Sequence, residues 1–425
     1  MQIFEGVMME QIEPGTDVLE RFLRYVKIDT QSDPASESYP STEKQKNLGE
    51  LLVNELREIG IIDAKLNQHG IVYATIPSNA DKSNIPVVFF CAHMDTSPDY
   101  TGKDVNPVLH TEYQGGPIVL PQNNIIIRPS EHPDLEHQIG NTIITSDGST
   151  LLGADNKAGV AEIMAAAAYL MKHPEIKHGT IKILFTPDEE IGRGVDQLDT
   201  KLLAADFGYT VDGETRGHLE AETFSADAAS VHFQGVPSHP GFAKGKMQNA
   251  VKMAADFVAA LPRHLLSPES TDGMNGFIHP TQISGTMEAS KVDLILRDFQ
   301  EHGLDEQIEL LTQTAEGVCR QFPGTNFRIE RREQYRNMKS VLDQHPHVVD
   351  LAVEAIRRAG IHPVISSVRG GTDGSRMSFM GLPCPNLFAG EHAFHSPYEW
   401  VSLEDMQLAV KTIVHLCALV EERGS

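Results

Sequence analysis

Cysteine is scarce and scattered: Cys91, Cys319, Cys384 and Cys417 stand far apart in a chain of 425 residues, with no C-x-x-C pair among them. That excludes a disulfide-stapled scaffold, a zinc knuckle and a thioredoxin-like redox motif, and it suits a reducing compartment. Basic residues are also in deficit, 35 Lys plus Arg against 59 Asp plus Glu, for a formal charge of −24. A surface of that sign repels nucleic acid and anionic membranes, so neither is expected as a partner. Long apolar runs are missing too. The longest weakly polar stretch, Val160 to Met171, is interrupted by Glu162 and is too short to span a bilayer. The amino terminus mixes Glu5, Glu10 and Glu13 with its apolar residues and lacks the basic-then-apolar order of a signal peptide. A cytoplasmic protein is the expectation.

What is present is ordinary globular material. Hydrophobic residues make up 40% and charged residues 22%, and at roughly 150 residues per domain the length predicts two or three domains. Apolar spacing predicts helices over 17–28 and from Thr42 to about Ile59, then strands over 71–76 and 87–91, the latter an unbroken apolar run typical of a strand buried on both faces. The segment 97–141 is rich in Pro, Gly, Asn and His and reads as mostly irregular. A helix over 158–172 and strands over 180–186 and 207–211 continue the alternation of a doubly wound α/β domain. The order then changes. Strands over 226–233, 292–299 and 326–332, with helices over 246–261 and 305–322, read as a β-α-β-α-β insert of the α+β type. A helix after Pro346, strands over 363–367 and 386–388 and a final helix over 403–421 return to the first pattern. The expected organisation is one discontinuous catalytic domain, 1–217 and 336–425, interrupted by a second domain, 218–335.

The acidic residues and histidines fall at the ends of these strands. His93 and Asp95 follow Phe90-Cys91; Asp188, Glu189 and Glu190 follow Ile183-Leu184-Phe185; Asp212 follows Tyr209-Thr210-Val211; Asp155 immediately precedes a helix. Open α/β sheets bind ligands beyond the carboxyl ends of their strands, so these groups can converge there. Unpaired carboxylates gathered in one crevice repel each other unless a cation neutralises them, so convergence implies a metal. His93-Met94-Asp95 sets two side chains on one side of an extended segment, a geometry in which Asp95 can fix the tautomer of His93. Taken singly, each motif has a plainer explanation: Asp95 as a turn cap, Gly153 to Gly159 as a glycine turn with Asp155 at a helix amino terminus, and 188–190 as a solvated acidic turn. The glycine turn also lacks the G-x-x-x-x-G-K-[ST] order of a phosphate loop.

The ordered set is far more specific: His-x-Asp, G-A-D-N-K-A-G, P-D-E-E-x-G, V-D-G, S-H-P-G and a late histidine, with F-F-C-A-H-M-D-T over 89–96, R-G-G-T-D-G-S over 369–375 and G-L-P-C-P-N over 381–386. From about Leu19 to Val420 this resembles the M20 family of di-zinc peptidases, and within it the branch that cleaves tripeptides. The resemblance implies that the insert is a ferredoxin-like lid domain and that the chain holds two Zn2+, with Co2+ or Mn2+ as substitutes. His93, Asp155 and Asp212 would hold one ion and Asp155, Glu190 and His395 the other, with a water between the two. It implies that Asp95 orients His93, that Glu189 is the general base, that His239 donates to the oxyanion, and that Arg297, with Arg369 as a second candidate, grips a peptide carboxylate. In some relatives the insert pairs two copies, which leaves a homodimer open.

Two stretches depart from the family pattern. After Val211-Asp212-Gly213 the relatives continue with more glycine, whereas this chain reads Glu214-Thr215-Arg216. His392 competes with His395 as a ligand; His395 is preferred because a small residue follows it and Glu399-Trp400-Val401 comes shortly after. The activity implied is an aminopeptidase releasing the first residue of tripeptides. The alternatives are a deacylase or carboxypeptidase-like amidohydrolase with the same metals, and a noncatalytic binding protein, which would have no need of Glu189.

Overall fold

Val88–His93 is buried at every position and lies between two parallel neighbours, Ile181–Thr186 and Phe207–Gly213. Those three strands form the centre of an eight-stranded mixed sheet. Its order is Lys65–Leu66, Val72–Ile76, Ile181–Thr186, Val88–His93, Phe207–Gly213, Asn386–Phe388, His218–Thr223 and Val364–Val368. Unbroken apolar runs at its centre meet the requirement of a parallel sheet covered on both faces. The computed structural model describes residue 14 and residues 16–424. The opening segment with Glu5, Glu10 and Glu13 lies outside them. No helix among the described residues is long and apolar enough to cross a membrane.

The helix Ala154–Lys172 is buried almost all round, as its run of Ala, Val, Ile and Met dictates. Its backbone becomes regular only after Asn156, because Asp155 and Asn156 hold non-helical angles. Gly159 explains how close the helix comes to the sheet: a Cβ there would stand 1.9 Å from the Val211 carbonyl oxygen. A side chain at 159 would push the helix away from the Phe207–Gly213 strand and separate Asp155 from Asp212.

Glu162, on the same helix, is fully buried and neither carboxyl oxygen has a hydrogen-bond partner. Burial raises its pKa well above the ordinary value, so the folded chain holds a proton that the unfolded chain releases. Between the two pKa values the folded state binds more protons than the unfolded, so stability falls as pH rises from the mid-4 range upward. Glu162→Met is therefore expected to raise resistance to urea by about 1–3 kcal/mol at pH 8 and by much less at pH 4.5. A larger gain at pH 4.5 than at pH 8 would contradict this.

The chain divides into two compact units: the described parts of Met1–Ala221, Ser340–Ser366 and Thr372–Ser425 form one, and Glu222–Lys339 with Ser367–Gly371 forms the other. These limits differ from those read in the sequence, 218–335, for local reasons. His218–Thr223 pairs antiparallel with Asn386–Phe388 and so begins in the first unit's sheet. Asn337 donates to the Phe299 carbonyl and, through its amide, to Ser225 Oγ, which keeps the chain in the second unit past 335. Arg369 ties Ser367–Gly371 to that unit, donating to the carbonyls of Gly273 and Asn275 at 2.8 and 2.7 Å while its guanidinium lies over the Phe224 and Phe277 rings.

The second unit is a β-α-β-β-α-β sandwich of one antiparallel sheet and two helices, Ala250–Ala260 and Glu301–Gln321. Its sheet order is Phe277–Gly285, Ala289–Asp298, Ser225–Gln234, Asn326–Tyr335, the ferredoxin-like arrangement expected. One strand was missing from the sequence reading. Phe277–Gly285 carries Pro280, shows a register shift beside it and is mostly exposed at its far end. Those traits suit an edge strand and erase the period-two signal. The 97–141 segment likewise contributes Val108–His110 to a small four-stranded sheet with Ile143–Thr145, Trp400–Ser402 and Glu391–His392.

Candidate metal centre

His93 is the last residue of its strand, the Asp188–Glu190 turn comes one residue after the neighbouring strand, and Asp212 is the next-to-last residue of the strand on the other side. Asp155 comes from the irregular start of the helix that Gly159 lets approach, and a cis peptide joins it to Asn156. His395 arrives from the loop before Trp400–Ser402, with a left-handed φ of 60°. Five side chains from five segments meet here. His93 Nε2 lies 2.9 Å from Asp155 Oδ1 and 3.3 Å from Asp212 Oδ1. His395 Nε2 lies 3.1 Å from Asp155 Oδ2 and 2.8 Å from Glu190 Oε2. The ligand atoms of His93, Asp155 and Asp212, and separately those of Asp155, Glu190 and His395, fall within 4.8 Å of one another. Asp155 belongs to both sets, offering one oxygen to each.

The electrostatics show what the site lacks when only protein groups balance it. Burial, then the charge of Asp155, pushes Glu190 up to about 8. Burial also raises Asp212 and Glu189, the latter well above the ordinary carboxyl range. Burial alone would lower His395, yet hydrogen bonds and charge from Asp155 and Glu190 bring it up to about 11, and His93 is raised well above normal chiefly by Asp212 and Asp155. Glu190 Oε1 and Asp212 Oδ1 remain buried without hydrogen-bond partners. Two histidine nitrogens and three carboxylates, two of which keep an orphaned oxygen, are the donor set of borderline divalent cations, and the residues fit a pair of them.

Asp95 does more than orient a ring. His93 Nδ1 is 3.1 Å from the Asp95 carbonyl and 3.4 Å from its carboxylate. The same carboxylate accepts the backbone amides of Glu189 and Glu190 at 3.0 and 3.2 Å. Asp95 therefore meets the ring of His93 mainly through its main-chain carbonyl, while its buried carboxylate holds the turn that carries the acidic pair. Asp188 locks that turn from behind: its carboxylate accepts from Ser41 and from Gln45 Nε2, and its amide donates to Gln45 Oε1. Asp373 packs against it as well, accepting from Thr186 Oγ1 at 2.7 Å, with burial pushing its pKa up to about 7. A Cβ at Gly194 would lie 2.3 Å from Asp373 Oδ1. Asp99 stands 3.3 Å from His395 Nδ1. Apart from Asp95 beside the His93 ring, none of these supports was read from sequence. Only Asp99, in Ser97-Pro98-Asp99 soon after a metal-ligand motif, offered a signal.

His392 does not join either ligand set. It stacks on Trp400 with ring centroids 4.0 Å apart and faces Glu214 at 3.6 Å and Asp134 at 3.9 Å. Arg216, in the departing stretch, pairs with buried Asp405 at 3.0 Å.

The remaining site residues read from sequence lie in the second unit. His239 sits in an exposed loop, where its Nδ1 accepts the Gly241 amide at 3.1 Å; that bond leaves the ring proton on Nε2. Arg297 lies over the Tyr335 ring, and its guanidinium donates to Gln334, Leu296 and Asp227 through Nη1. Arg369 is different. Both terminal nitrogens are committed to Thr271, Gly273 and Asn275, so a bidentate grip on a carboxylate would require those bonds to be exchanged.

Two groups of candidate ligands that share one carboxylate, gathered at the strand ends, form a candidate metal centre. The model of peptidase family M20/M25/M40 matches residues 147–418, and the chain belongs to that family. It is 46% identical over 410 residues to Peptidase T of Geobacillus kaustophilus, covering 96% of this chain and 99% of that protein, and 47% identical over 411 residues to Peptidase T of Desulfitobacterium hafniense, covering 96% and 100%. Among solved structures, aminopeptidase PepT from Bacillus cereus superposes with a TM-score of 0.73 at 22% identity, over 95% of this chain and 98% of that one. The Bacillus subtilis YXEP protein, described as a dinuclear metal binding peptidase of the M20 family, superposes with a TM-score of 0.65 at 14% identity, over 96% and 98%.

Proposed function

We propose that this chain is an aminopeptidase that releases the first residue of tripeptides, with two divalent cations of the zinc class at the five-residue centre. The observation that carries the reading is Asp155, whose two oxygens face two separate histidines, one in each ligand set. His93, Asp155 and Asp212 would hold one cation, and Asp155, Glu190 and His395 the other. When bound, the cations would neutralise the carboxylates and supply Lewis-acid polarisation of the peptide carbonyl.

The protein groups do the rest. Glu189 belongs to neither ligand set, and its amide is held by Asp95, so its carboxylate is left to take the proton of the attacking water and return it to the leaving amine. His239, with its proton on Nε2, suits donation to the oxyanion. Arg297 has one side of its guanidinium uncommitted and is the better candidate to receive the peptide's terminal carboxylate; Arg369 we assign to holding Ser367–Gly371 in the lid. A cytoplasmic setting accompanies this reading, supported by four free thiols, three of them buried.

A site that engages a cationic amine at one end and a carboxylate at the other measures the distance between them. The zinc-loaded protein is therefore expected to cleave tripeptides with a free amino terminus faster than di- or tetrapeptides, and N-acetyl amino acids slowest. Arg297→Ala should raise KM for tripeptides by the equivalent of about 2–5 kcal/mol, whereas Arg369→Ala should lower the unfolding midpoint and leave KM close to wild type. Faster turnover of N-acetyl amino acids than of any tripeptide would replace this reading with the deacylase.

A further inference from the structure

Glu399 is a carboxylate with 1% of its surface exposed, and its partners are main-chain amides rather than a basic side chain. Leu152 and Gly153 donate to Oε2 at 2.7 and 2.8 Å, and Asp155 donates to Oε1 at 3.0 Å. Gly153 has a left-handed φ of 80°, which turns successive amides toward one side and forms a concave anion cradle. The acceptor is itself firmly placed. Glu399 directly precedes Trp400–Ser402, a wholly buried strand paired with Ile143–Thr145 on one side and Glu391–His392 on the other.

The segment that carries Glu399 also carries His395. Asp155 is thereby gripped twice by one loop of five residues: His395 Nε2 meets its side chain at 3.1 Å, and Glu399 meets its amide at 3.0 Å. The backbone of Asp155 is otherwise irregular, so no helical hydrogen-bond ladder fixes it. We propose that Glu399 is a positioning residue of the metal centre, whose grip on the Leu152, Gly153 and Asp155 amides sets Asp155 at the place where its two oxygens serve both ligand sets. The inference rests on the two-cation reading above. A carboxylate that must satisfy two cations at once tolerates little displacement, and partners behind metal ligands typically govern affinity by about 10–100-fold.

Glu399→Gln is the direct test. The amide keeps the size of the side chain but offers one acceptor oxygen, and it turns an NH2 donor toward amides that are donors too. Zinc affinity, measured by competition with a chromophoric chelator, is expected to fall about 10–100-fold. At saturating zinc, kcat should drop while KM for a tripeptide stays within about twofold, because Glu399 touches no substrate. Far-UV circular dichroism of the metal-free protein should match wild type. Glu162→Met removes a buried carboxylate from the same helix without touching a ligand, and it should bind zinc as wild type does. If wild type itself binds no zinc, the two-cation reading falls. If wild type binds two ions and the Glu399→Gln protein binds them equally well, or loses only KM, the assignment of Glu399 alone is overturned. Should Glu399→Gln fail to fold, Glu399→Asp decides: it keeps the charge but shortens the reach, so a drop of several-fold in zinc affinity supports the proposal and wild-type affinity overturns it.

Discussion

Glu189→Gln is expected to leave a folded, metal-binding protein whose kcat for tripeptides is lower by about 10²–10⁴-fold. The substitution is nearly isosteric, and it spares the amide of residue 189, which donates to Asp95 at 3.0 Å and keeps the turn in place. Neither ligand set includes Glu189, so zinc content should be unchanged. What disappears is a group able to accept a proton and then release it. The neighbouring substitution separates the roles. Glu190 Oε2 lies 2.8 Å from His395 Nε2, so Glu190→Gln should lose zinc first and activity as a consequence, with partial recovery in excess metal. Glu189→Gln should not recover at any zinc concentration. Turnover of the Glu189→Gln protein above a tenth of wild type at saturating zinc would remove Glu189 from the proposed chemistry.

Asp155→Asn is the second large effect. Asp155 is the one residue common to both sets, and the amide keeps its shape while removing the charge that two cations would share. Both positions should weaken together, so zinc content after dialysis should drop below one per chain and hydrolysis should fall to background. Stability reports the same loss independently of activity. A ligand that binds only the folded state adds RT ln(1 + [L]/Kd), about 4 kcal/mol at a thousandfold excess over Kd. Wild type should therefore gain markedly in Tm when zinc is added, and the Asn variant should gain little. An undiminished zinc-dependent rise in the variant would show that Asp155 does not bridge.

Much of this centre was legible because strands impose simple rules. Side chains alternate, and ligands gather beyond the carboxyl ends of parallel strands, so His93, the 188–190 turn and Asp212 could be drawn together before any coordinates. The hidden part depends on backbone atoms. Asp95 looked like a partner for the His93 ring, and its bonds to the amides of Glu189 and Glu190 carry no side-chain signature at the far end. Asp188 and Gln45 meet across 143 positions through a turn no local pattern announces. Gly159 reads as one glycine among many until the Val211 carbonyl is found against it. The missed strand Phe277–Gly285 is an edge strand, where exposure and Pro280 dilute periodicity. Arg369 was read by its charge. Its function in the fold follows from three carbonyls and two rings that lie far from it in sequence.

The central claim is that five protein groups hold two cations about one shared carboxylate, and metal content tests it most directly. Purified protein is stripped with a chelator, dialysed against trace zinc and measured by elemental analysis against protein concentration. The expected result is about two zinc ions per folded chain, with Asp155→Asn below one. A folded wild-type chain that retains no zinc under these conditions would contradict the account.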